Sequence, residues 1–244
     1  MSRSNRQKTL GSIMGFEYVH FEFDLVQDYI RHMETYFETE INSIDQAYDE
    51  FLNSLGKEKK VNSEEDYISR NAHSESFVDA FFMFETVYKK NFRNSQIIQL
   101  YSFVEDALRG GCDRFADYKN TDYYVSDLKG YNDIDKIKTF LKKSVKLDFS
   151  LLNPEWRFLD DLRQVRNLVV HHGNIIQNGD TKNNKDKRFN NIKKFSEKKF
   201  TLEKSKYSES TYEIIFDNPL FFNEICRNLE NLISKIGEIE VTSD

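Results

Sequence analysis

"RQVRNLVVHHGN" (163–174) gathers two arginines, two asparagines and two of the chain's five histidines into one short stretch. Arginine grips a phosphate with a planar fork of donors whose charge does not titrate near neutral pH. Histidine exchanges a proton in that range, and asparagine can hydrogen-bond either an imidazole or a substrate. An anion clamp beside a proton carrier is what metal-independent phosphodiester cleavage requires. RNA brings its own 2′-hydroxyl nucleophile, so the protein has only to position, protonate and stabilise. On this reading the candidate catalytic residues are Arg166, Asn167 and His171.

These groups act together only if one element presents them, and the sequence predicts a helix over 154–172. Asn153 is placed to cap it, Pro154 suits the first helical position, and Glu155 complements the positive end of the dipole. Gly173 can take the left-handed conformation that closes it. Arg163, Asn167 and His171 follow one another at steps of four residues, a little over one helical turn, and so share a side of the helix. Phe158, Leu162, Val165 and Val169 cluster on the other side, so Arg163, Asn167 and His171 point away from the core, with Arg166 at the shoulder. His172 falls close to the apolar stripe and is expected to be a partly buried structural histidine. Arg163 and His172 join the candidates in supporting roles. A solvated polar helix face would show the same spacing, and the pattern alone leaves that alternative open.

Helical periodicity dominates the rest of the chain. Apolar steps of three or four from Val26 to Leu55 predict a long helix over 24–55, suited to a packed bundle or a dimer seam. The charged stretch 56–71 reads as a loop, and a second helix follows from about Ser74 to Tyr88. "NFRNS" (91–95) is expected to break it before a third helix that carries Ile97, Tyr101, Val104 and Leu108, with Gly110 and Gly111 weakening or ending that helix. A shorter helix spans 131–147, and a last one about 218–236. Residues 1–12 are polar and expected to fray. Between the last two helices the period changes to two, predicting a β-hairpin near 199–216. The expected architecture is mainly α, a helical bundle read as a single domain over 1–244. A helical extension occupies 12–73, and a basic loop with its hairpin is inserted at 174–217.

Composition narrows the function. With 39% hydrophobic and 14% aromatic residues the chain can bury a substantial core, and only two prolines and nine glycines favour helices over a many-turned β fold. No long apolar run or leader pattern is visible, so a cytoplasmic protein without a membrane partner is expected. Two cysteines without nearby ligand partners predict neither a disulfide framework nor a metal site. No carboxylate cluster accompanies the histidines and no glycine-rich turn follows a strand, so no metal and no cofactor is expected. The net charge of −6 conceals a tract from Lys182 to Lys206 with nine lysines and Arg188 against Asp186, Glu197 and Glu203. Within it Lys193, Lys194, Lys198 and Lys199 are candidate RNA contacts, and a solvated loop is the competing reading. Phe189, Phe195 and Phe200 could stack bases, though packing the hairpin on the bundle is the favoured use.

"RNLVVH" (166–171) resembles the R-N-x-x-x-H form of the Rx4–6H motif of HEPN domains (higher eukaryotes and prokaryotes nucleotide-binding). Glu105, within "LYSFVEDAL" (100–108), looks like an acidic position that such domains often carry on an earlier helix. The resemblance covers roughly 74–172 and the last helix. It implies a helical bundle that commonly dimerises with the Arg/His motifs facing each other. It also implies a metal-independent endoribonuclease of toxin–antitoxin or phage-defence type that leaves 2′,3′-cyclic phosphate ends. Carried over, Arg166 would stabilise the scissile phosphate, His171 would act as general acid/base and Asn167 would orient the site. A homodimer, RNA and an antitoxin or defence-system partner are the implied associations. The position that some HEPN toxins fill with an adenylylated tyrosine is Gly173 here, which leaves that mode of control without support. A non-catalytic RNA- or nucleotide-binding bundle and a helical protein-interaction module remain the alternatives.

Overall fold

A computed structural model describes residues 8–57, 64–178 and 184–241, the side chains of 8, 56, 57 and 184–186 excepted. It is mainly helical. In chain order it comprises β1 (Lys8–Thr9), α1 (Leu10–Met14), α2 (Val19–Lys57), α3 (Glu64–Phe82), a π-helical stretch (Met83–Tyr88) and α4 (Lys89–Lys119). Then follow α5 (Asp133–Lys143), α6 (Asn153–His172), β2 (Ile175–Gln177), α7 (Asn184–Ser196), β3 (Thr201–Lys204), β4 (Thr211–Ile215), α8 (Leu220–Gly237) and β5 (Glu240–Val241). The chain divides into two compact units, one formed from 1–27 and 96–244, the other from 28–95.

The 28–95 unit is held by aromatic contacts between helical segments. Phe77 meets Tyr48 at 5.6 Å and Phe51 at 5.8 Å, and Phe37 meets Phe92 at 5.6 Å. Two expectations change here. Of the expected loop, 58–63 lie outside the described residues, whereas Glu64 onward is helical. Glu64, Glu65 and Asp66 fill the first turn of α3, where carboxylates favour the positive end of the dipole. "NFRNS" does not break the helix either. Its Arg93 turns inward, donating from Nε and Nη2 to Glu34 at 2.8 and 2.5 Å, and both side chains are buried. A buried ion pair supplies partners that the sequence pattern assigned to water.

In the other unit the predicted apolar faces of α4, α5 and α8 are buried, including Val104, Leu108, Ile137, Phe140, Ile225 and Leu229. α4 passes through Gly110 and Gly111 without ending. A Cβ on Gly111 would stand 2.8 Å from the Phe16 ring and 3.1 Å from Met14 Cβ. This glycine therefore admits a neighbour instead of stopping the helix. Residues 1–7 of the expected frayed segment lie outside the described residues, but 8–12 are ordered. β1 pairs antiparallel with β5, Thr9 Oγ1 accepts from Ser12 N at 3.3 Å, and Leu10 is buried.

The hairpin forms as predicted, with β3 and β4 antiparallel from Thr201↔Ile215 to Lys204↔Tyr212. β2 joins the other edge of β4, giving the order β2-β4-β3. The basic tract between them carries α7, a helix in place of the expected loop. Phe189, Ile192 and Phe195 recur three residues apart, and all three are buried. Phe195 meets Phe158 of α6 at 5.3 Å, and Phe200 meets Phe221 of α8 at 5.5 Å. These rings pack the protein interior and do not form a base-stacking surface. Among the described residues no helix is long and apolar enough to cross a membrane.

Candidate functional site

α6 carries the motif, and its two ends are fixed differently. The helix begins one residue earlier than predicted, at Asn153, after Leu152 and with no side-chain cap. Its first turn is tied instead through Glu155, whose Oε1 accepts from Lys235 Nζ of α8 at 2.6 Å. Leu159, Leu162, Val165 and Leu168 are buried and set the rotation of the helix. At the other end Gly173 takes φ +55° and its N–H returns to Leu168 O. The helix closes as predicted, through a left-handed glycine. Asn174 then clamps the end to the sheet. Its Nδ2 donates to Ile214 O at 3.2 Å, and its carbonyl accepts from Ile214 N at 2.9 Å. The last turn of α6 is thus held against β4, which positions His171 and His172 on a rigid support.

A groove of about 500 Å³ opens beside that turn. Arg163, Gln164, Asn167, His171 and His172 of α6 line one wall, and Lys187, Arg188 and Asn191 of α7 the other. Among the described side chains no aspartate or glutamate lines it. His171 is exposed and has no hydrogen-bond or ion-pair partner among the described residues. Arg163 is steadied from below by Asp160, which accepts from its Nε at 3.0 Å and its Nη2 at 2.7 Å. His172 is exposed, not partly buried, because α6 runs out from under the core at its last residue. A smaller cavity of about 280 Å³ lies over that position, lined by Leu168, His172, Ile175, Ile176, Gln177 and Arg188.

Arg166 stands outside the groove's lining. Its Nη1 donates to Asn167 Oδ1 at 3.0 Å, and its guanidinium carbon lies 5.6 Å from the centre of the Tyr101 ring on α4. Its Nε is buried with no partner among the described residues. Below that ring the Tyr101 hydroxyl donates to Glu105 Oε1 at 3.3 Å. Burial raises the Tyr101 hydroxyl well above the ordinary phenol range, with the Glu105 charge adding to the effect. Burial likewise raises the Glu105 carboxyl, opposed by the hydrogen bond from Tyr101. Arg166, Tyr101 and Glu105 thus form one stack that locks Asn167, and through Asn167 the groove wall. Cation–π contact contributes about 0.5–1 kcal/mol at exposed sites and about 2 kcal/mol where water is excluded.

The four lysines expected to contact RNA are not in the groove. Lys193, Lys194 and Lys198 are exposed elsewhere on and after α7. Lys199 is engaged, with Nζ 3.5 Å from Glu224 Oε1 and 5.3 Å from the centre of the Phe195 ring. Lys182 lies outside the described residues. Lys187, Arg188 and Asn191 do face α6, and the sequence pattern did not single them out. Their signal was present in the same three-residue step that places Phe189, Ile192 and Phe195, since Arg188 and Asn191 follow that step on the adjoining face. Among the described residues no group of three or more His, Cys, Asp or Glu is disposed to hold a metal ion. Both cysteines are buried, and burial pushes the Cys226 thiol up to about 12.

No protein-family model, curated protein or solved structure matches the chain.

Proposed function

We propose that the protein is a metal-independent endoribonuclease of HEPN type. It would act as a homodimer and serve as a toxin or anti-phage effector, with an antitoxin or defence-system protein as a further partner. One observation carries the chemistry. An exposed His171 imidazole, unpartnered among the described residues, shares a groove with Arg163, Asn167, Lys187 and Arg188, and no described carboxylate lines it. Such a groove attracts a polyanion and leaves an imidazole available to move protons.

In this reading the 2′-hydroxyl of the bound ribose attacks the adjacent phosphorus while the bond to the 5′-oxygen breaks. The 2′-hydroxyl proton is taken up and the leaving 5′-oxygen is protonated, with His171 as the acid/base group. The products are a 2′,3′-cyclic phosphate and a 5′-hydroxyl. Charge that develops on the phosphoryl oxygens meets the guanidinium groups beside the groove, a form of stabilisation that costs no reorganisation during the reaction. Arg166 fixes Asn167 through its Nη1 while its Nε is buried, and no other described residue takes Nη2, which in this reading is the donor left for a phosphate oxygen.

The test is incubation of the full chain with single-stranded RNA in EDTA, followed by analysis of the new ends. Wild type should cut and leave cyclic phosphate, whereas His171→Ala and Arg166→Ala should each lose at least about 100-fold in rate. Cleavage that survives His171→Ala, or that stops in EDTA, would sink the proposal. RNA binding without cleavage by wild type would assign the groove to a non-catalytic binder.

A further inference from the structure

Arg188 is a half-buried guanidinium without a counterion among the described residues. Burial first, and then the neighbouring Arg163 charge, hold it below the ordinary arginine range. A charge withdrawn from water and facing a like charge is costly unless something negative joins it. Arg163 has its own carboxylate in Asp160, whereas among the described side chains, which leave out 184–186, no aspartate or glutamate lines either cavity that Arg188 borders. The neutral amides of Gln164, Asn167 and Asn191 line the groove with it.

Its position also matters. Arg188 and His172 are shared by the groove and by the smaller cavity, so they stand where the two meet. The groove beyond is cationic. The smaller cavity is lined by the apolar Leu168, Ile175 and Ile176 together with the amide of Gln177. That combination accepts the flat face and polar edge of a nucleobase.

We propose that Arg188 is the phosphate anchor of a single-stranded nucleic acid, with the attached base seated in the cavity between Leu168 and Gln177. The guanidinium fork grips two oxygens of one backbone phosphate and so holds the strand beside the last turn of α6. The identity of the ligand rests on the ribonuclease reading, but the anchoring does not require cleavage.

The test therefore measures binding alone, using a 2′-O-methyl oligoribonucleotide that lacks the nucleophile. Fluorescence anisotropy titrations compare wild type, Arg188→Gln, Arg188→Lys and Lys129→Gln. Lys129 is exposed in the loop before α5, and its substitution removes the same charge away from the groove. Arg188→Gln should weaken binding about 10- to 100-fold and lower the slope of log affinity against log salt by about 0.7. Arg188→Lys should fall between wild type and Arg188→Gln, which keeps the result readable if the glutamine variant folds poorly. Lys129→Gln should change affinity less than about threefold. Wild-type affinity in Arg188→Gln, an equal loss in Lys129→Gln, or no binding by wild type overturns the proposal. Thermal stabilisation by inorganic phosphate without oligonucleotide binding overturns the nucleic-acid assignment. If binding behaves as expected and unmodified RNA is not cut, the nuclease reading fails and the anchor stands.

Discussion

Arg93→Met should destabilise the 28–95 unit far more than a typical surface substitution. Both members of the Arg93–Glu34 pair keep only 10% of their side-chain surface exposed, and two short hydrogen bonds join them. At an effective dielectric of about 20 and a charge separation of about 4 Å, their attraction is about 4 kcal/mol. Removing one partner of such a pair costs about 3–5 kcal/mol, because the other charge is left buried. Here the stranded group is the Glu34 carboxylate. Replacing both members by apolar side chains of similar volume, Glu34→Leu with Arg93→Met, removes the problem and should return stability to within about 1 kcal/mol of wild type. Urea denaturation followed by circular dichroism provides the measurement, with amide exchange assigning the transition to 28–95. For a slope of about 1–3 kcal/mol per molar, the single variant should lower the midpoint by roughly 1–5 M. The reasoning is refuted if Arg93→Met costs under about 1 kcal/mol, or if the coupling energy of the double-mutant cycle is under about 0.5 kcal/mol. Either result would describe a solvent-screened pair, and something else would have to hold "NFRNS" helical.

Three further outcomes concern Glu105, Gly111 and Gly173. Because burial raises the Glu105 carboxyl in the folded protein, the stability it contributes is present below the unfolded carboxyl range, near pH ~4.3, and is lost as pH rises through the folded value. Glu105→Gln keeps an acceptor for Tyr101 and should gain on wild type as pH is raised from about 4 to 7; parallel urea midpoints that differ by a constant amount would contradict this. The two glycines should respond for different reasons. Gly111→Ala meets the Phe16 ring and should lose about 1–3 kcal/mol despite the better helix propensity of alanine. Gly173→Ala meets nothing within 4 Å but must hold φ +55°. It should lose about 1–2 kcal/mol, most of it restored by Gly173→Asn. Thermal unfolding of the three variants checks both, and a stabilised Gly111→Ala would remove the packing argument.

Where the sequence was legible, the signal was local. The helical spacing of Ile97, Val104 and Leu108, and of Ile225, Leu229 and Leu232, follows directly from which side of a helix can face a core, and all six are buried. The end of α6 was equally plain, since Gly173 is the residue that tolerates the left-handed turn. Alternation around 201–215 specified the hairpin. "NFRNS" misled because polarity along a chain does not say whether water or another side chain satisfies it. Gly111 misled because helix propensity counts the glycine's backbone freedom and cannot see Phe16, which lies far earlier in the chain.

The motif itself shows the same division. Sequence alone determined which residues of α6 turn from the core, because a helix has a set angle per residue and the apolar ones choose the inside. Only tertiary structure decided what those residues face. It brought Lys187 and Arg188 across from α7, set Tyr101 and Glu105 beneath Arg166, and left His172 uncovered at the helix end. The helix wheel is written by covalent geometry within a few turns, whereas the opposite wall of a groove depends on segments that meet only when the chain has buried its apolar surface.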